Sequence, residues 1–315
     1  MSENRFGFAF PGQGSQRVGM LEHAYERFSV VRDTFTEASD TLSYDMWDLI
    51  CHGDQGALNL TETTQPVLLT CSVALWRAWL ASDGSVPTVM AGHSLGEFSA
   101  LVCAGALAFP DAVRLVKLRG AYMQNAVPLG EGAMAAIIGL DDAVINQVCH
   151  ELSRKLDQSI SAVNFNSPGQ VVIAGHTAAV EQAVAALKEA GAKRALPLPV
   201  SAPFHTDLML PAGEQLAEAV DSLTFTAPEI PVIHNVHAET ESSPAAIKAL
   251  LVQQISSPVQ WTECVKSMAT MGANSLVECG PGKVLSGLTR RIDKSLQSFN
   301  IEEPEDLLAT IEALT

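Results

Sequence analysis

A serine framed by glycines constrains this chain more than any other feature. Gly92-His93-Ser94-Leu95-Gly96 has the pattern Gly-x-Ser-x-Gly. The apolar run 86–91 precedes it, and residues 97–107, rich in alanine and leucine, follow it. Strand, sharp turn and helix in that order make a nucleophile elbow. The turn is strained, so the residues two away on either side must be glycine to avoid collision. It lifts the serine hydroxyl above the sheet, and the helix behind it points its positive end at a forming oxyanion. The N–H of Leu95 is then one oxyanion donor. A purely structural glycine turn is the plainer reading of the same five residues.

Length and composition set the frame for that elbow. A chain of 315 residues fits about two domains, or one large domain with an insertion. With 47% hydrophobic and 17% charged residues it is not a disordered protein. The longest apolar stretch, 100–109, is too short to cross a bilayer. The start, Met-Ser-Glu-Asn-Arg, lacks a signal pattern, so a cytoplasmic location is expected. Nineteen basic against 35 acidic residues leave a net charge of −16, a poor match for nucleic acid or anionic lipid. The 6 cysteines include no Cys-x-x-Cys pair and are expected to be reduced, buried thiols.

Residues 5–10 read as a buried strand that runs into a tight loop, Pro11-Gly12-Gln13-Gly14-Ser15-Gln16. A helical stretch reaches about Ser39. Gln65-Pro66 opens an apolar helix to Leu80, with proline at the first helical position. A helix over 110–124 carries Arg114, Lys117 and Arg119. The rhythm then changes. Strand 133–139, helix 141–156, strands 160–164 and 170–174, helix 178–190 and strand 194–200 spell βαββαβ, a ferredoxin-like unit. The flanking segments read as one α/β layer, so 128–200 is taken as an insertion into a larger unit made of 1–127 and 201–315. The return portion has a helix at 206–223, a strand at 231–236 and helices at 244–255 and 261–271. A strand at 275–279, a late helix opened by Gly280-Pro281-Gly282-Lys283 and a surface helix from Glu302 complete it. Gly280-Pro281-Gly282-Lys283 is followed by Val284 and lacks the spaced first glycine, so it is not a P-loop. Gly12-Gln13-Gly14 lacks the third glycine of a dinucleotide site, and no metal-ligand spacing appears.

A serine nucleophile needs a base. Of the 8 histidines, His23, His52, His150 and His176 read as surface residues, and His93 as a satisfied structural one. His205, in Pro203-Phe204-His205-Thr206, and the pair His234 and His237 remain. The usual hydrolase order Ser, Asp or Glu, His would suit His234 or His237, with Asp207 or Asp221 as the acid. From spacing alone neither choice prevails.

Further motifs carry a resemblance that spans nearly the whole chain. They are Phe10-Pro11-Gly12-Gln13-Gly14-Ser15-Gln16, Gly92-His93-Ser94-Leu95-Gly96-Glu97, Leu118-Arg119-Gly120, Asn166-Ser167-Pro168-Gly169-Gln170, Ser201-Ala202-Pro203-Phe204-His205, Pro258-Val259-Gln260-Trp261 and Glu278-Cys279-Gly280-Pro281-Gly282-Lys283. Together and in this order, they resemble the free-standing malonyl-CoA:acyl carrier protein transacylases of type II fatty acid synthesis. The resemblance implies an α/β-hydrolase-like large subdomain with a ferredoxin-like insertion and a cleft between them. It implies Ser94 as nucleophile and His205 as base. No acidic third member is expected; a backbone carbonyl near Gln254 orients the imidazole instead. The N–H of Gln13 becomes the second oxyanion donor, approached closely because glycines flank it.

In such a family Arg119 would pair with the free carboxylate of a malonyl group, a task suited to a planar guanidinium that keeps its proton. Read without the resemblance, Arg119 is a surface helix residue beside Lys117. Phe204 would crowd an α-methyl group, and Met123, Met134 and Asn166 would contribute to the acyl site. The implied reaction is a ping-pong transfer of malonyl from malonyl-CoA to the phosphopantetheine thiol of acyl carrier protein, needing no cofactor, by a protein expected to be monomeric. Since both partners are acidic, docking needs a local basic patch, expected at Lys193, Arg194, Lys283, Arg290 and Arg291. Rival readings are an acyltransferase of a polyketide or polyunsaturated lipid synthase, a serine hydrolase, and a non-enzymatic docking module.

Overall fold

Strand β1 (Phe6–Phe10) is buried at every position. A strand with both faces covered belongs inside a parallel sheet flanked by helices. β1 pairs in parallel with β2 (Val89–Gly92) on one side. The remaining strands are β3 (Gly132–Ile138), β4 (Ile160–Ser167), β5 (Gln170–His176), β6 (Arg194–Pro197), β7 (Val232–Ile233), β8 (Ser275–Glu278) and β9 (Gln297–Asn300). Among the described residues, five of these nine strands form one sheet in the order β7-β2-β1-β8-β9, with every pairing parallel. In its register Phe10 lies opposite Gly92 and Ala9 opposite Glu278. The carboxyl ends of three central strands therefore come level, which is where α/β sheets hold their sites. This computed structural model describes residues 5–200 and 202–314; Ser201, in the motif ahead of His205, lies outside them, as do the chain ends included in the expected large unit.

β3 to β6 form a separate antiparallel sheet in the order β4-β5-β3-β6. With the helices Asp142–Leu156 and Thr177–Glu189 this is the βαββαβ unit that the sequence suggested. It has a core of its own, built on Ile137, Ile145, Cys149, Ile173, Val180 and Leu187. Met134, Val163, Val172 and Ala174 point the other way and join the main core. The two layers are also stitched by backbone, since Phe165 donates to the Val259 carbonyl and Val259 to that of Val163, at 3.0 and 2.8 Å.

The helix expected to start at Pro66 instead spans Thr61–Ala81, with the proline inside it. Interior proline costs about 3 kcal/mol. Sixteen residues of this helix are buried in a nearly unbroken run from Thr61 to Trp79, and that burial outweighs one lost hydrogen bond. Its first turn is also pinned by a close neighbour: a Cβ on Gly120 would sit 2.5 Å from the Thr61 carbonyl oxygen. Three other expectations need correction. The strand foreseen over 231–236 is only Val232–Ile233, because the chain turns there to present His234 and Asn235 inward. β9 was not foreseen, since Gln297–Asn300 carries little apolar signal. The last helix, Pro304–Leu314, is not wholly a surface helix: it buries Leu307 and Leu314.

Candidate active site

Ser94 sits between β2 and the helix Leu95–Cys103 with φ 52° and ψ −106°. A non-glycine residue there costs of order 1–3 kcal/mol. Asn235 holds it in place. Its Oδ1 accepts from the Ser94 N–H at 2.7 Å, and its Nδ2 donates to the Gly92 carbonyl at 2.7 Å. The flanking glycines are obligatory. A Cβ on Gly92 would lie 1.8 Å from the Gly96 carbonyl carbon, and one on Gly96 would lie 2.0 Å from the Phe10 carbonyl oxygen. The loop after β1 presses equally close, as a Cβ on Gly12 would meet the His93 carbonyl oxygen at 2.4 Å. Gln13 is thereby fixed beside the elbow. Leu95 opens its helix, where the N–H has no carbonyl one turn earlier to bond.

His205 is also left-handed, with φ 65°, and is buried. Its Nε2 lies 2.8 Å from Ser94 Oγ. Its Nδ1 lies 2.9 Å from the backbone carbonyl of Gln254, which can only accept. Nδ1 therefore carries the proton and Nε2 presents its lone pair to the serine. Burial, then the nearby Arg119 cation, push the His205 pKa down to about 3. The imidazole is therefore neutral at ordinary pH, with its Nε2 lone pair facing the serine.

Arg119 lies on the helix Phe109–Asn125, in the inward stripe with Ala112, Val116 and Met123, and is 1% exposed. The surface reading is wrong. Nη2 donates to Ser94 Oγ at 3.1 Å and to Gln254 Oε1 at 2.8 Å; Nη1 donates to Gln65 Oε1 at 2.9 Å. Nε is buried without a partner among the described residues. Burial lowers the Arg119 pKa to about 10, so it stays a cation at neutral pH. Its counter-charge is indirect: Gln254 Nε2 donates to Glu97 Oε2 at 2.8 Å. The fully buried Glu97 also accepts from the Asn235 N–H at 2.9 Å and faces His234 Nδ1 at 2.8 Å.

A cavity of about 110 Å³ opens on these groups, lined among others by Gln13, Gln65, His93, Ser94, Leu95 and Arg119. Met123, Met134, Phe204, Leu198 and Val200 supply its apolar walls. Asn164 lines it rather than the expected Asn166, whose Oδ1 is 2.7 Å from His93 Nε2. The expected members Ser94, His205, Gln13, Leu95, Arg119, Met123, Met134 and Phe204 thus converge, and Gln254 lies behind His205. Asn235, Glu97, Gln65 and Asn164 went unforeseen. Single Asn, Gln and Glu residues in apolar surroundings have no local pattern, although Glu97 lies directly after the elbow motif.

It is His205, and neither His234 nor His237, that bonds Ser94. His234 faces Glu97, and His237 Nδ1 accepts from the nearby Glu239 N–H. Asp207 is exposed and bonded to Ser159, and Asp221 is exposed. His176 is half-buried, not a surface residue, and accepts from the Ser159 N–H. None of Lys193, Arg194, Lys283, Arg290 and Arg291 lines the cavity. Arg194 pairs with Ile138 in the sheet, Arg291 bonds Gln170, and Lys283 and Arg290 border a separate depression with Asp306. The helix after Gly280-Pro281-Gly282-Lys283 already has an anion at its start. Glu278 accepts from the N–H groups of Leu285 and Ser286 at 3.0 and 2.8 Å.

Residues 7–308 match the acyl transferase domain family. The malonyl CoA-acyl carrier protein transacylase of Salmonella typhimurium is 55% identical over 307 residues, covering 98% of this chain and 99% of its own length. The solved structure of the malonyl CoA-acyl carrier protein transacylase from Coxiella burnetii superposes with a TM-score of 0.98 at 46% identity, over 99% of this chain and 98% of that one. A structure described as a type II PKS acyl-carrier protein in complex with its malonyl-transacylase matches at 51% identity and a TM-score of 0.96, over 98% and 99% of the two chains. An elbow serine bonded to a neutral histidine, with relatives of this name along its whole length, leaves one conclusion: the chain belongs to the acyl transferase domain family.

Proposed function

We propose that this protein moves the malonyl group of malonyl-CoA to the phosphopantetheine thiol of an acyl carrier protein by way of a malonyl ester on Ser94. The observation that carries the reading is the shared cavity: Ser94 Oγ is 2.8 Å from His205 Nε2 and 3.1 Å from Arg119 Nη2. His205 takes the hydroxyl proton as Oγ attacks the thioester carbonyl. The N–H groups of Leu95 and Gln13 receive the oxyanion. The C–S bond breaks, CoA leaves with a proton returned by His205, and the ester keeps its carboxylate on Arg119. The carrier's thiol then gives its proton to His205, attacks the ester and restores Ser94. Every group in this cycle belongs to the chain or its two substrates. A carbonyl in place of an acid behind His205 stabilises imidazolium less than a carboxylate would.

In this reading the two sheets correspond to a large unit, 1–127 with 201–315, and an inserted unit, 128–200. The enzyme serves fatty acid synthesis in the cytoplasm as a monomer. Its similarity to a transacylase solved with a type II PKS carrier protein keeps service to such a carrier as a second reading. Incubation with labelled malonyl-CoA and holo carrier protein tests the proposal. Label on the carrier supports transfer; free malonate as the main product, or no labelling of Ser94, overturns it. Parallel assays with fatty acid and polyketide carriers separate the two readings.

A further inference from the structure

Ser94 Oγ stands between two groups that pull in opposite directions. On one side is the lone pair of His205 Nε2 at 2.8 Å; on the other is the Arg119 guanidinium, whose Nη2 donates to the same oxygen at 3.1 Å. A fixed, buried cation therefore lies one hydroxyl away from the base. When Ser94 loses its proton to His205, a second cation forms beside the first. We propose that Arg119 holds the base in check while the pocket is empty, and that the carboxylate of the acyl group releases it by pairing with Arg119. The carboxylate then activates the chemical step in addition to anchoring the substrate. This inference rests on the malonyl reading of the cavity.

The surroundings of His205 support it. Its neighbours are the Arg119 cation, the half-buried His93, the Gln254 carbonyl and the backbone of Ser257. None of these is an anion. Asp207, two residues on, turns away to Ser159. Glu97 reaches Arg119 only through the Gln254 amide, and its carboxylate is spent on Gln254, Asn235 and His234. Arg119 Nε has no acceptor among the described residues. No carboxylate lines the pocket among the described residues, and the substrate's carboxylate supplies one there. After burial, Arg119 is the largest influence lowering the basicity of His205. An acetyl group, of similar width but uncharged, would enter and leave the base in check, so discrimination falls on the acylation step as well as on binding.

The test follows the His205 imidazole by ¹⁵N NMR across acid pH in the full chain. Three samples are compared: free wild type, wild type saturated with sodium malonate, and Arg119→Met. The midpoint is expected to rise by on the order of one pH unit or more in the second and third samples relative to the first. An unmoved midpoint with malonate overturns the inference, whether or not the Arg119→Met chain folds. An unmoved midpoint in a folded Arg119→Met chain does the same. The malonyl-transfer assay is scored separately. Transfer with no change in midpoint removes only this coupling; a raised midpoint without transfer removes only the substrate reading.

Discussion

Both residues proposed to exchange the serine proton occupy left-handed backbone, Ser94 at φ 52° and His205 at φ 65°. Strain of that kind persists only where neighbours over-determine it. For Ser94 the determinant is Asn235. Asn235→Ala leaves the Ser94 N–H and the Gly92 carbonyl buried without partners, at about 1–3 kcal/mol. It is expected to lower the melting temperature by several degrees and to slow Ser94 acylation in a rapid-quench assay. A variant with wild-type acylation would show that the clamp is dispensable. At Arg119 the expected effect is selectivity. Breaking one side of a buried charge pair costs about 3–5 kcal/mol. Arg119→Ala should therefore reduce the malonyl-over-acetyl ratio of kcat/KM by about a hundred-fold or more. Competing the two acyl-CoAs against wild type and variant measures it, and full retention of malonyl preference removes the role given to Arg119. Ser94, His205 and Arg119 were legible because motifs surround them. Asn235, Glu97 and Gln65 were not, because a buried amide or carboxylate is recognised by its partners, and those lie up to 157 residues away.

At the scale of elements, the elbow works because a strand end, a loop and a helix start approach within side-chain distance at backbone level. Gly96→Ala would drive a methyl group into the Phe10 carbonyl, and backbone cannot yield as a flexible side chain can. Little soluble, active protein is expected from that variant, whereas Gly287→Ala, with open space around its Cβ, should express as wild type. Similar yields from both would refute the packing argument. The elements were read well from periodicity where they are amphipathic, as in the helices 142–156 and 177–189. Reading failed where packing overrode local rules. Pro66 looks like a helix start, yet the buried run through Thr61–Ala81 carries the helix past it. Four polar-leaning residues became β9 because the edge of β8 needed a partner.

For the whole molecule, acid should be destabilising. Burial holds His205 at a pKa of about 3 and also lowers that of His93, while unfolded histidine titrates near 6.5. Below that value the unfolded chain binds protons that the folded one refuses. Stability from these two groups is complete above pH 6.5 and drains as the pH falls toward the folded values, by a few kcal/mol in order of magnitude. Urea midpoints at pH 7 and pH 5 measure it; His205→Asn should flatten the dependence, and an unchanged slope would count against a neutral, buried imidazole. The net charge of −16 sets the other expectation at this scale. An acidic carrier needs local attraction, so replacing Arg290 and Arg291 by glutamate should raise the KM for carrier protein and leave that for malonyl-CoA unchanged. Equal KM values for both proteins would remove these residues from the docking surface.

Ser94 and Arg119 are anchored at the parallel sheet and its helices, whereas Met134, Leu198 and Asn164 reach the cavity from the other layer, which keeps a hydrophobic core of its own. Floor and roof of the chamber are separate pieces of masonry. Cargo size can then be retuned by recarving the roof, with the reactive floor left standing.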